Sequence, residues 1–337
     1  MLADRGHRGV ASGYLSRMSD HSNGPDLVLV RDLLFTGETR RQHARAAAAG
    51  KEVRVARGAY VERERWDALD DLEQAKLRVL AHARTRSRPP VFSHWSAALL
   101  HGLPVSRQAL ASIHVTLPPT SGGRSVPGVV AHCTGIAAVD VVELGSLRCT
   151  SIERTIVDLG ASASMRDALP SADAALRQGV RKADLLASWL RAQPQRGHRR
   201  SLELIEFADG RAESPLESVS RASMRVAGMA VPRLQMAYRD AAGLVGYVDF
   251  AWPESNAVGE ADGDAKYLDP ALRNGRSAER VVLDEKIRED RLRALGLRVV
   301  RWCWETACDP RALLAVLGSA GVPTASAAVR DERGPAR

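Results

Sequence analysis

Apolar residues recur along this chain with two different periods, and the changes of period outline its elements. Leu27, Val30, Leu33 and Leu34 fall on one helical stripe that Gly37 ends, and Glu38 to Ala49 continues as a second helix closed by Gly50. From Glu52 to Val61 the pattern alternates about Arg57-Gly58, which predicts a short hairpin. Helical spacing returns over Leu72 to Arg84 and over Ser93 to Leu103, the latter with a glycine stop at Gly102. Ile113 to Leu117 and Val126 to His132 read as strands separated by the Pro-, Gly- and Ser-rich run Pro118 to Gly123. Helices follow from Ser151 to Leu159 and from Ala168 to about Arg191.

The last third has the clearest order. A helix opens at Ser214-Pro215-Leu216-Glu217 and stops at Gly228. Strands run over Arg233 to Arg239, Leu244 to Trp252 and Ala257 to Gly263. A helix from Glu279 to Leu295, stopped by Gly296, leads into a strand from Leu297 to Trp304. The chain is therefore expected to be α/β, in the sense of an α+β multi-domain protein. Its expected parts are a disordered tail (1–25), a small helical domain with a hairpin (26–65), a mixed α/β middle region (66–208), an αβββαβ domain (211–318) and a second disordered tail (319–337). Met18 offers an alternative start.

Charge changes this picture in one respect. The formal net charge is +8, and the basic excess lies outside 211–310, where acids and bases nearly balance. Arg40, Arg41, Arg45, Lys51, Arg54 and Arg57 gather on the second helix and the hairpin, where phosphate and groove contacts would fall. A solvated basic face of an ordinary helical hairpin is the alternative. Aromatics make up only 4% of the chain, which argues against a stacking surface for single strands. Cys133, Cys149, Cys303 and Cys308 form no CxxC pair and suit reduced thiols in a cytoplasm. No apolar run has the length of a membrane helix, and residues 1–24 lack the apolar core of a signal peptide. His94 and His101, seven residues apart, share a helical face and are expected to serve as core or capping residues.

The acidic residues of the last third carry the candidate chemistry. Glu260 and Asp262 point to the same side of their strand, since side chains alternate. Asp249 lies on the preceding strand, and Trp252 to Ala257 is short enough for the two strands to pair as a hairpin. Facing residues on such strands sit about 5 Å apart at Cβ. Carboxylates converging at that spacing repel unless a hard divalent cation lies between them. Gly259, Ala261 and Gly263 leave room for a phosphate or a metal to approach. Glu217 is open to two readings: the N3 residue of a capping box with Ser214, or a further metal ligand.

Taken jointly, several strings resemble the Vsr-like (very-short-patch-repair-like) endonuclease domains of the PD-(D/E)xK nuclease superfamily. They are Ser214-Pro-Leu-Glu-Ser-Val-Ser-Arg221, Val248-Asp249-Phe250-Ala-Trp252, Gly259-Glu260-Ala-Asp262-Gly263, Glu285-Lys286 to Asp290-Arg291 and Leu295-Gly-Leu-Arg-Val-Val-Arg-Trp302. The resemblance covers the αβββαβ region. Residues 26–65, ending in Arg57-Gly58-Ala59-Tyr60-Val61, resemble the N-terminal winged helix of AbiE-type (type IV) antitoxins. The string Ser93-His94-Trp95-Ser96 to His101-Gly102-Leu103 resembles the middle segment of the same proteins.

The first resemblance implies Mg²⁺ (or Mn²⁺) held by Asp249 and Glu260 with Glu217, and hydrolysis of DNA phosphodiester bonds. It expects a lysine two residues after Glu260, where this chain has Asp262. The cation must then come from elsewhere, and Lys266, Lys286 and Arg288 are the candidates. The expected partners are double-stranded DNA and a neighbouring toxin or repair protein, with no membrane. The rival expectation is a non-catalytic transcriptional regulator, similar to a type IV antitoxin, with a degenerate nuclease fold. No GxxxxGK[ST], GxSxG or HExxH string supports a nucleotide-driven motor or the hydrolases that use those motifs.

Overall fold

Thr39 and Gln42 close a reciprocal capping box before helix α1 (Arg40–Ala48) in the computed structural model, which describes residues 27–30, 39–121, 125–192, 196–262 and 278–325. The described residues form a mixed α/β structure with three sheets, and the chain divides into two compact units. One comprises residues 1–163 and 180–207, the other 164–179 and 208–337.

In the first unit, β1 (Val28–Leu29) pairs with β3 (Ala59–Glu62), which also pairs with β2 (Glu52–Ala56), giving the order β1-β3-β2. The expected helix at Leu27 is thus a strand at Val28–Leu29. Leu27 and Leu29, two residues apart, both enter the core, a period-2 pattern that the later leucines disguised. Leu33, Leu34 and Gly37 lie outside the described residues. The hairpin turns at Gly58, whose φ of 82° suits glycine.

Helices α2 (Arg63–Ala68) and α3 (Asp71–Arg84) follow, and Asp70 caps α3 reciprocally with Glu73. Strand β4 (Val91–Phe92), helix α4 (His94–Leu100), β5 (Ile113–Leu117), β6 (Val129–Cys133), β7 (Val141–Leu144) and β8 (Leu147–Thr150) complete a five-stranded mixed sheet of order β6-β5-β4-β8-β7. Strand β6 starts later than its sequence pattern suggests, because Val126 and Val129 exchange hydrogen bonds around Gly128.

Helix α5 (Ile152–Ser162) packs in this unit. Helix α6 (Met165–Arg177), although inside the stretch 66–208, belongs to the second unit, and α7 (Lys182–Arg191) and α8 (His198–Phe207) return to the first. Helices α5 and α8 cross so closely at Gly160 that a Cβ there would stand 2.6 Å from the Cα of Ser201. Fully buried Arg154 donates to Asp158 on α5 at 2.8 Å, and Asp140 lies 3.9 Å from it.

The second unit has α9 (Pro215–Val226), β9 (Arg233–Asp240), β10 (Gly243–Trp252), β11 (Ala257–Ala261), α10 (Ala278–Ala294), β12 (Arg298–Trp302), α11 (Trp304–Cys308) and α12 (Pro310–Ser319). Its sheet runs β12-β11-β10-β9, antiparallel except for the parallel pair β11 and β12. One apolar cluster, with Leu216, Phe250, Trp252 and Trp302, packs α9 and the C-terminal helices together with the sheet. A second cluster joins Val248 and Val258 to Leu292 of α10. Residues beyond 318, expected as a tail, are in part built into this unit. Met229 bridges Thr324, Ala325 N donates to Gly228 O, and Val322 is buried.

Candidate functional site

Asp249 lies where the sheet of the second unit opens. Strands β10 and β11 pair as far as Phe250 with Gly259, so Asp249 and Glu260 are the next residues in register. They do not continue the ladder. Instead an Asp249 carboxylate oxygen accepts the Ala261 amide at 2.9 Å, so a side chain takes over from the backbone and the strands part. On the other edge of β10, the pairing of Met236 with Val248 and of Leu234 with Phe250 sets Gln235 across from Asp249. Gln235 has a φ of 51°, a left-handed conformation inside a strand. Its Nε2 donates to Asp249 Oδ1 at 3.3 Å and to Glu217 Oε2 at 3.1 Å.

Glu217 is buried on the first turn of α9. Ser214 accepts its amide at 3.2 Å, which is half of the capping box. The other half is not made with Ser214: the Glu217 carboxylate takes the Glu213 amide at 2.9 Å. Burial, and then the charge of Asp249, raise the pKa of Glu217. The same two causes in the same order push that of Glu260 up to about 7, opposed by Arg288. Arg288 reaches over from α10 and donates to Glu260 Oε1 at 2.8 Å and to the Tyr247 carbonyl. The bulge at Gly246 clears its path, since a Cβ there would meet Arg288 Nε at 2.8 Å. Glu213, Gln235, Tyr247, Asp249, Glu260 and Arg288 line a cleft of about 460 Å³.

Of the candidate ligands, then, the fold brings Asp249 and Glu260 to one cleft and sets Glu217 behind them, joined through Gln235. Among the described residues no group of three or more His, Cys, Asp or Glu side chains is arranged to hold a metal ion. The donor chemistry of the cleft nevertheless suits a hard divalent cation. Mg²⁺ takes one or two carboxylates and completes its shell with water, and a cation between Asp249 and Glu260 would offset the burial and the facing charge that push the Glu260 pKa up to about 7.

Asp262 turns away to an ion cluster. Arg301 donates to it at 2.7 Å and lies 3.0 Å from Glu285 and 3.1 Å from Glu289. Lys286 is exposed on α10 and does not line the cleft, and Lys266 lies outside the described residues. Arg288 is the cation the structure puts beside the acids. Gly259 is small for a different reason from the one expected. A Cβ there would stand 2.5 Å from the Trp302 indole, so it serves packing and not ligand access. Gln235 escaped the sequence reading, because a neutral amide in a strand matches no catalytic motif. Counting back through the β9–β10 turn from Asp249 was the one signal that could have found it.

Two Mycobacterium tuberculosis proteins are similar to this chain: uncharacterized protein Rv2248 of strain ATCC 25618 / H37Rv and uncharacterized protein MT2308 of strain CDC 1551 / Oshkosh. Each is 30% identical over 263 residues, 78% of this chain and 89% of the relative. The chain belongs to their family. The aligned stretch is longer than either compact unit, so family membership rests on residues of both. No protein-family profile matches the sequence.

The first unit of this family member carries the basic candidates on its surface. Arg40, Arg41, Arg45, Lys51, Arg54 and Arg57 are all exposed. Arg40 and Arg57 share the rim of a cavity of about 470 Å³ with Arg86. His94 and His101 do not act together. His101 Nε2 lies 2.7 Å from the Thr150 carbonyl, to which it donates. His94, with a φ of 51°, stacks on His132 with ring centres 3.5 Å apart and planes 11° apart. His132 Nε2 in turn lies 3.0 Å from His114 Nδ1.

Proposed function

We propose that this protein binds double-stranded DNA through the basic face of α1 and the β2–β3 hairpin and hydrolyses DNA phosphodiester bonds at the cleft of the second unit. The observation that carries the reading is the meeting of Asp249 and Glu260 beside Arg288 in one cleft, with the Glu260 pKa raised to about 7 by burial and by Asp249. Asp249 and Glu260 would hold Mg²⁺ (or Mn²⁺), which when bound polarises a phosphate oxygen and makes a water acidic enough to attack. Asp249 is already oriented by the Ala261 amide and by Gln235, so little side-chain freedom remains to be lost. Arg288 offers its remaining N–H groups to a phosphate and places positive charge where the transition state gathers negative charge.

Nicking of supercoiled plasmid by the purified chain with Mg²⁺ or Mn²⁺ tests this. Activity falling to background in Asp249→Asn and Glu260→Gln, and by about a hundredfold in Arg288→Ala, is expected. No nicking by the parent at any salt concentration would sink it.

A second reading is a DNA-binding regulator, similar to a type IV antitoxin, whose nuclease-like unit no longer cuts. Asp262 favours it, because an acid bound to Arg301 stands where the resemblance expects a lysine. Under that reading DNA binding survives Asp249→Ala with Glu260→Ala, and the parent protein is inactive.

A further inference from the structure

We propose that Gln235 is a positioning residue of the cleft, whose carboxamide, anchored on the Glu217 carboxylate, holds Asp249 in the orientation a divalent cation needs. The inference rests on the nuclease reading. Three observations on β9 converge. First, Gln235 is one of three non-glycine residues with positive φ among the described residues. A side chain in the left-handed region costs free energy and persists where the surroundings hold it. Second, the surroundings that hold it are the two acids. One amide nitrogen carries two N–H groups, and it spends them on Glu217 Oε2 and Asp249 Oδ1 at 3.1 and 3.3 Å. Third, the two carboxylates converge on this one amide nitrogen, where like charges repel one another. A neutral double donor between them lowers that repulsion without occupying the cation's place, which a lysine or arginine there would do.

The clamp also sets a division of labour. Asp249 Oδ2 is taken by the Ala261 amide and Oδ1 by Gln235, so the carboxylate plane is fixed from both sides. Glu217, fully enclosed and held by Gln235 and the Glu213 amide, acts through Gln235 and not by touching the substrate. Gln235 itself lines the cleft, so changes to it are felt at the cation site first.

Gln235→Met keeps the length and the backbone conformation and removes the donor, whereas Gln235→Gly removes the donor and relieves the backbone. In the full-length protein both are expected to weaken Mn²⁺ binding, read by electron paramagnetic resonance, by at least about tenfold, the scale for residues that orient metal ligands. Both are expected to lower kcat with the KM for DNA unchanged, and Gln235→Gly is expected to melt above Gln235→Met. Mn²⁺ affinity within twofold of the parent in both variants overturns the proposal. If the parent neither binds Mn²⁺ nor cuts, the nuclease reading falls by itself. The clamp is then decided by melting alone: Gln235→Met melting several degrees below the parent supports a clamp on paired acids, and unchanged melting removes it.

Discussion

Burial and the facing Asp249 carboxylate hold a proton on Glu260 up to about pH 7, against an ordinary value of 4.5. The folded pKa lies above the unfolded one, so this group's contribution to stability is fully present below 4.5 and is lost as pH rises through 7. The loss is on the order of 3 kcal/mol. In metal-free buffer Glu260→Gln is therefore expected to melt above the parent at about pH 8, where Glu260 is ionised, and level with it below 4.5, where the Glu260 side chain is as neutral as the amide that replaces it. Parallel melting curves for the two proteins across that range would remove burial of an ionised Glu260 as a cost. The imidazoles of the first unit run the other way. Burial pushes both His114 and His132 down to about 4 from 6.5. Their contribution is present above 6.5 and is lost as pH falls through 4. Replacing both with Gln is expected to flatten the acid side of the stability profile, read as chemical-denaturant midpoints from pH 7 downwards.

At the scale of elements, one helix contact tolerates no added volume. The Gly160 crossing of α5 and α8 sets backbone against the place a methyl group would occupy. Gly160→Ala is expected to cost about 1–3 kcal/mol, the range for overpacking, visible as a lower denaturant midpoint with unchanged cooperativity. The periodicity that predicted α3, α5, α9 and β9 succeeded because each has one apolar face long enough to fix a period. It failed at Val28–Leu29, where two strand residues are too few to outweigh a chance helical spacing. The expectation that Gly259 leaves room for a ligand failed for another reason, because a gap filled by an indole and a gap left for a ligand look alike in sequence. The acids Asp249 and Glu260 were legible, since a carboxylate between apolar strand residues needs a reason. Gln235 was not, because its left-handed backbone and its two bonds exist only once α9, β9 and β10 have met.

The largest mismatch between chain order and packing concerns α6, and it bears on how the molecule can be divided. Asp173 of α6 is buried and accepts from Arg221 Nη1 at 2.6 Å, from Ser218 Oγ at 2.8 Å and from the Asp209 amide at 2.8 Å. Two of those donors sit on α9, the helix that also carries Glu217. Periodicity finds α6 as a helix but has no means of telling which unit it serves, because the deciding contact is a buried ion pair between residues 48 apart in the chain. Breaking such a pair from one side strands the other charge and costs about 3–5 kcal/mol. A fragment starting at residue 211 keeps the sheet and the cleft acids but lacks α6, leaving Arg221 without Asp173 and the packed face of α9 uncovered. It is expected to lose cooperative thermal unfolding, while one starting at 164, which retains α6, keeps it. Full-length Asp173→Ala, with the helix present and only the carboxylate gone, should lower the stability of the second unit. If the fragment from 211 melts as sharply as the one from 164, α6 is dispensable to the fold of the cleft, and the Asp173–Arg221 pair is incidental to holding α9 and its Glu217 in place.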